Sequence, residues 1–192
     1  MTEQRTAIVL ADRRSTDIAA LASAVSTAMA SQSVNVVMPP LDAFALAMSA
    51  AERRAYDTDT PILDPLVAAS ADAVRHADAI VVIVDTPSNG LPAVIKGWID
   101  RVLVPGVAFV LDESTQRVRP ALGHIALLAV VSVDDRPCLR RWFEHDNARR
   151  VIFRALRLVC GVRTRTRSIR VRTADLRDPQ TFDAIQREVL KW

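Results

Sequence analysis

VVIVDTPSNGLPAVIKGWIDRVLVPGVAF, residues 81–109, opens as an aliphatic strand, turns at a segment holding Pro87 and Gly90, and continues as an amphipathic helix stopped by Pro105 and Gly106. A strand that is apolar on both faces belongs inside a parallel sheet, and a helix following it directly is the crossover that such a sheet needs. The turn therefore lies at the carboxyl end of a buried strand. Open α/β sheets bind their ligands there.

Outward from this unit, strand and helix signals alternate along the whole chain. Residues 6–11 and 34–38 read as strands on either side of a helix over 16–30, where Ile18, Leu21, Ala22 and Val25 recur on one face and Ser15 or Thr16 offers an N-cap. A helix over 64–76 starts with Asp64 as cap and Pro65 in the first helical position, ahead of the strand at 79–84. After the helix at 91–103 come a hairpin over 109–119 that turns across 112–116, a strand at 125–133, a broken helix at 139–159, a strand at 166–172 and a helix at 179–190. Repeated strand–helix units predict an α/β fold built around a parallel sheet.

The 192 residues suit one domain, 1–192, and half of them are hydrophobic against about a quarter charged, a balance for a packed core. No apolar run approaches the roughly 18 residues of a membrane span, and the first residues lack a signal peptide's basic start, so a cytoplasmic protein with no membrane partner is expected. Cys138 and Cys160 stand apart without a CxxC or a nearby His, which predicts inert thiols and no metal. The net charge of +3 conceals twelve arginines and no lysine over residues 136–172. No stacking aromatics are interleaved with those from Arg163 to Arg172, so no nucleic-acid partner is expected.

Two stretches carry a family resemblance. GLPAVIKGWIDRV with PGVAF, at 90–102 and 105–109, resembles the flavodoxin-like NAD(P)H:quinone and NAD(P)H:FMN oxidoreductases, and HDNARRVIFRALRLVCGVRTRTR, at 145–167, is a second echo in the right order. The resemblance implies a flavodoxin-like three-layer sandwich whose five-stranded parallel sheet has the order 2-1-3-4-5. It also implies noncovalent FMN or FAD, NAD(P)H as co-substrate, and a homodimer. Hydride would pass by a ping-pong route to a small-molecule substrate: a quinone, free flavin or similar acceptor.

In that strand order three loops border the crevice, at 12–17, 85–90 and 132–137. The first places Arg14, Ser15 and Thr16 at a helix N-terminus, where amides and dipole favour a phosphate. The second places Pro87, Ser88, Asn89 and Gly90 at the flavin ring, where relatives carry aromatics. The third reads Ser132-Val133-Asp134-Asp135-Arg136 where relatives often place Thr-Gly-Gly, with Arg136 at the ring edge to offset the two carboxylates.

Asp12, Asp85, Asp134 and Asp135 all follow strand ends on one edge of the sheet, and a cluster of carboxylates raises its members' pKa values. This gives an alternative: a flavin-independent enzyme or binder on the same scaffold, with Asp85, Asp134 and Asp135 as acid/base groups. Magnesium held by the same carboxylates, and a regulatory subunit that docks to another protein, are further readings of these residues.

Overall fold

A computed structural model describes residues 4–85, 90–112, 117–137 and 147–191. Five parallel strands form the central sheet: β1 (Thr6–Ala11), β2 (Asn35–Val37), β3 (Ala79–Asp85), β6 (Leu127–Val133) and β7 (Arg165–Val171), in the order β2-β1-β3-β6-β7. Counted along the sheet strands alone, this is the 2-1-3-4-5 order, so the fold is flavodoxin-like. The remaining strands, β4 (Phe109–Asp112) and β5 (Arg117–Pro120), pair antiparallel as the expected hairpin.

Period-two alternation splits the sheet's side chains into two cores. On one side, Val9, Val81, Ile83 and Val131 meet α1 (Thr16–Ser31) and α6 (Pro179–Val189) through Ile18, Leu21, Val25 and Ile185. On the other, Ile8, Leu10, Ile80, Val82 and Val130 pack against α3 (Pro65–Arg75), α4 (Ala93–Val102) and α5 (Asn147–Val159). The strands β3 and β6 are thus covered on both faces, which is why their sequences are nearly all aliphatic.

The connection from β2 to α3 holds structure beyond the expected elements. A short 3-10 turn (Leu41–Ala43) precedes α2 (Ala50–Ala55), whose start is a reciprocal capping box: Glu52 N–H donates to Ser49 Oγ at 3.1 Å, and Ser49 N–H donates to Glu52 Oε2 at 2.7 Å. Glu52 also accepts from buried Arg101 of α4, at 3.0 Å from Nε and 2.6 Å from Nη2, while Asp64, the cap of α3, accepts from the same Nη2 at 2.7 Å. One guanidinium therefore joins three helices. Trp98, on the same helix, is fully buried in the core.

The backbone of Leu46 crosses α4 directly over Gly97. A Cβ at Gly97 would meet Leu46 O at 2.9 Å and the Leu46 carbonyl and α carbons at 3.1 Å, all backbone atoms that cannot swing aside. Gly97→Ala is therefore expected to cost about 1–3 kcal/mol through overpacking, despite alanine's better helix propensity. Urea midpoints of the two proteins measure it; an unchanged or raised midpoint refutes the close packing.

Candidate functional site

The sheet order reverses at β1 and β3, so the chain leaving these strands diverges and leaves a crevice at their carboxyl ends. Register places Ala11 beside Ile83 and Asp85 beside Val133, which brings the ends of β1, β3 and β6 to one edge. A cleft of about 320 Å3 opens there, lined by Asp12, Arg14 and Ser15 from the first loop and by Asp85, Gly90, Leu91 and Pro92 from the second. That volume falls within the roughly 300–1,000 Å3 of small-molecule sites.

Ser15 stands at the N-cap of α1 in extended backbone geometry, yet its side chain makes no cap hydrogen bond. The first amides of the helix have no partners within the helix, so hydroxyl and amides together form a donor set suited to an anion. Asp12 does not oppose this with a bare charge. Arg14 grips it through Nε to Oδ1 at 2.8 Å and Nη2 to Oδ2 at 2.6 Å, and this guanidinium holds the Asp12 carboxyl below its usual range. Neighbouring Arg13 faces Asp42 at 3.5 Å.

The third loop folds inward. Asp134 is only 2% exposed and accepts from Arg136 Nε at 2.8 Å, from Nη2 at 2.9 Å and from the Arg136 backbone N–H at 3.0 Å. Arg170 of β7 adds a second cation at 3.7 Å. Burial works to raise the Asp134 pKa, but the bonds from Arg136 and the charges of Arg136 and Arg170 outweigh it and hold the group low. Asp135 instead accepts from the Thr173 backbone N–H at 2.8 Å.

The sequence's site residues therefore divide. Arg14, Ser15, Gly90, Asp12 and Asp85 share the cleft, with Thr16 next to it as the first residue of α1. Arg136, Asp134 and Asp135 are absent from its lining and engaged as described. Pro87, Ser88 and Asn89 lie outside the described residues. The expected mutual raising of carboxyl pKa values does not arise at Asp12 or Asp134, because a guanidinium two residues along the chain reaches each of them first. Among the described residues, no three His, Cys, Asp or Glu side chains converge as a metal site. Cys160 is buried and its thiol is pushed up to about 12, so it stays protonated.

Leu91 and Pro92 line the cleft without having been singled out in the sequence, although their place at the start of the predicted helix, directly after the turn, marked them. A second groove, of about 510 Å3, lies between the C-terminal ends of α4 and α5 and the hairpin, lined by Ile99, Leu103, Phe109, Val118 and Leu158 among others. It is larger, but it sits away from the strand-order reversal and is mostly aliphatic. Tyr56, the sole tyrosine, borders that groove.

The family described as "Flavodoxin-like fold" matches residues 4–186, and the chain belongs to it. No curated protein sequence matches. Among solved structures, the NAD(P)H:quinone oxidoreductase from Methanothermobacter marburgensis is similar at 16% identity and a TM-score of 0.68, over 98% of this chain and 96% of that one. An azoreductase from Bacillus anthracis str. Sterne is similar at 15% identity and a TM-score of 0.66, over 96% and 94%. An FMN-dependent NADH-azoreductase from Bacillus anthracis str. Ames Ancestor, in complex with FMN, matches at 11% identity and a TM-score of 0.64, over 97% and 96%. At these identities the likeness is one of fold.

Proposed function

We propose that the protein is a flavin-dependent NAD(P)H oxidoreductase acting on a quinone, free flavin or similar small acceptor by a ping-pong route. The observation that carries this reading is the cleft at the β1–β3 reversal, where an uncapped helix N-terminus, a free-standing serine hydroxyl and a guanidinium meet an apolar turn. The donor set fits the phosphate end of FMN or FAD: Ser15 Oγ and the first amides of α1 donate, and Arg14 retains N–H groups beyond those given to Asp12. On the other side, Gly90 lets a flat ring approach the backbone and Leu91 with Pro92 supplies apolar contact. A bound flavin would supply the chemistry, taking hydride from NAD(P)H and giving it to the acceptor.

The closed Asp134–Arg136 pair supports the reading on electrostatic grounds. A bare carboxylate roughly 4 Å from a reduced ring would cost about 4 kcal/mol at an effective dielectric near 20. Partnered by two arginines, Asp134 offers the edge of the sheet no such net charge. We further propose a homodimer, as the family resemblance implies, which light scattering tests directly, and a cytoplasmic location.

Titrating flavin-free protein with FMN, FAD and riboflavin, followed by flavin fluorescence, tests the site. FMN or FAD is expected to bind at about 1 μM or tighter, and the loaded protein to oxidise NAD(P)H when a benzoquinone is added. Arg14→Ala and Ser15→Ala should each weaken FMN roughly tenfold while leaving riboflavin, which lacks the phosphate, nearly unchanged. Protein that ignores all three flavins at high concentration sinks the reading.

A further inference from the structure

The outer face of α5 carries Arg150, Arg154 and Arg157 at helical spacing, opposite the buried Ala148, Ile152 and Leu156. All three arginines are exposed, as is Arg163 in the turn that follows α5, and among the described residues none of the four has an ion-pair partner. Apolar side chains stand among them: Leu158 is 72% exposed and Val162 is 97% exposed. Val118 of the hairpin, 65% exposed, shares a groove wall with Leu158, and Leu122 N–H bonds to Val159 O at 3.0 Å, so the hairpin and the end of α5 form one surface. The helix extends this surface by about 20 Å.

Two physical features narrow what this flank meets. Four uncompensated cations call for a partner rich in anions, and a second copy related by a two-fold axis would set arginine against arginine. Exposed leucine and valine gain nothing from the phosphates of a nucleic acid, but they gain from an acyl boundary. A surface that offers anionic headgroups and hydrocarbon at adjacent depths satisfies both sets of side chains.

We propose that this flank docks peripherally on an anionic lipid bilayer, the arginines on headgroup phosphates and Leu158 and Val162 in the acyl boundary. No described helix is long and apolar enough to cross a membrane, so the contact is with its surface. The expectation of no membrane partner rested on the lack of a spanning run, which a docked surface does not need. Neither the flavin cleft nor its residues take part, so this inference stands or falls apart from the cofactor.

Vesicle flotation tests it with the full chain. The protein is expected to float with phosphatidylcholine vesicles containing phosphatidylglycerol, to stay behind with phosphatidylcholine alone, and to detach as salt rises. At roughly fivefold in partition per arginine, Arg150→Glu/Arg154→Glu/Arg157→Glu should reduce flotation by more than about 100-fold. Leu158→Gln/Val162→Gln should reduce it roughly tenfold while keeping its salt dependence. Circular dichroism establishes that both variants stay folded, and raising the phosphatidylglycerol fraction gives the same readout on the unaltered protein. The proposal is overturned by no flotation at low salt, by flotation indifferent to charge reversal or to the glutamine pair, or by binding to duplex DNA or polyaspartate with none to vesicles.

Discussion

Arg101→Ala is expected to lower stability at neutral pH by about 3–5 kcal/mol, a large share of the roughly 5–15 kcal/mol available to a domain. The side chain is 4% exposed, gives three hydrogen bonds to Glu52 and Asp64, and lies 5.9 Å over the Phe44 ring. Truncation would leave Glu52 as a buried charge and loosen the join between α2, α3 and α4. Burial tends to raise the Glu52 pKa, yet the Ser49 and Arg101 bonds hold it low; Asp64 is held low chiefly by Arg101. Depressed carboxyl groups give stability that is present above their unfolded pKa values, near 4.3 and 3.9, and is lost as pH falls through the folded values. In the variant Glu52 keeps burial without its cation, so protonation relieves it. The gap between the two proteins should therefore narrow from pH 7 towards pH 4. Urea unfolding across that range measures the gap, and Glu52→Gln added to Arg101→Met should recover part of the loss. A loss below about 1 kcal/mol at pH 7 would show that the guanidinium fastens nothing.

The fold was legible because its signals were local and repeated. β1 lies on the predicted 6–11, and α3 starts at the Asp64–Pro65 signal with Leu66 N–H bonded to Asp64 Oδ1 at 2.8 Å. The hairpin strands flank the predicted turn. What escaped was either too short to show a period or depended on partners remote in sequence. Six-residue α2 has no recurring apolar face, although the spacing of Ser49 and Glu52 spelled its capping box. Arg101 sits in an amphipathic pattern at a position that reads as a charged face, and only the return of residues 49–64 across α4 encloses it. Ser15 occupies the predicted cap position but does not cap by its side chain. Site chemistry was harder still, since a carboxylate's behaviour depends on which cation reaches it. Asp12 and Asp134 were visible as acids on one sheet edge. That Arg14 and Arg136 each fold back over two residues to close a pair was a matter of rotamer and burial.

The same fold-back makes Asp134→Ala the second large effect. Its carboxylate is the acceptor for two side-chain donors of Arg136, itself 7% exposed, and for the Arg136 backbone N–H, so removal takes three charge-assisted or backbone bonds from a site where water has little access. The expected loss is about 1.5–3 kcal/mol at neutral pH. Asp134→Asn keeps one acceptor oxygen and the side-chain volume, so it should lose less than alanine does. The acid response follows from direction: the folded pKa is depressed, so the stabilisation is intact above the unfolded value near 3.9 and disappears as pH drops through the folded one. Natural protein should therefore lose stability on acidification in that range while Asp134→Ala, already without the pair, changes less. Charge alone is not the whole of it, because Asp134 N–H also bonds to Val171 O at 2.9 Å and continues the β6–β7 ladder by one step. Both variants retain that backbone bond, so a difference between them measures the side-chain pair. Equal stability of the natural protein and Asp134→Ala at pH 7 would mean that Arg136 finds water instead, and that the loop beyond β6 is open to solvent.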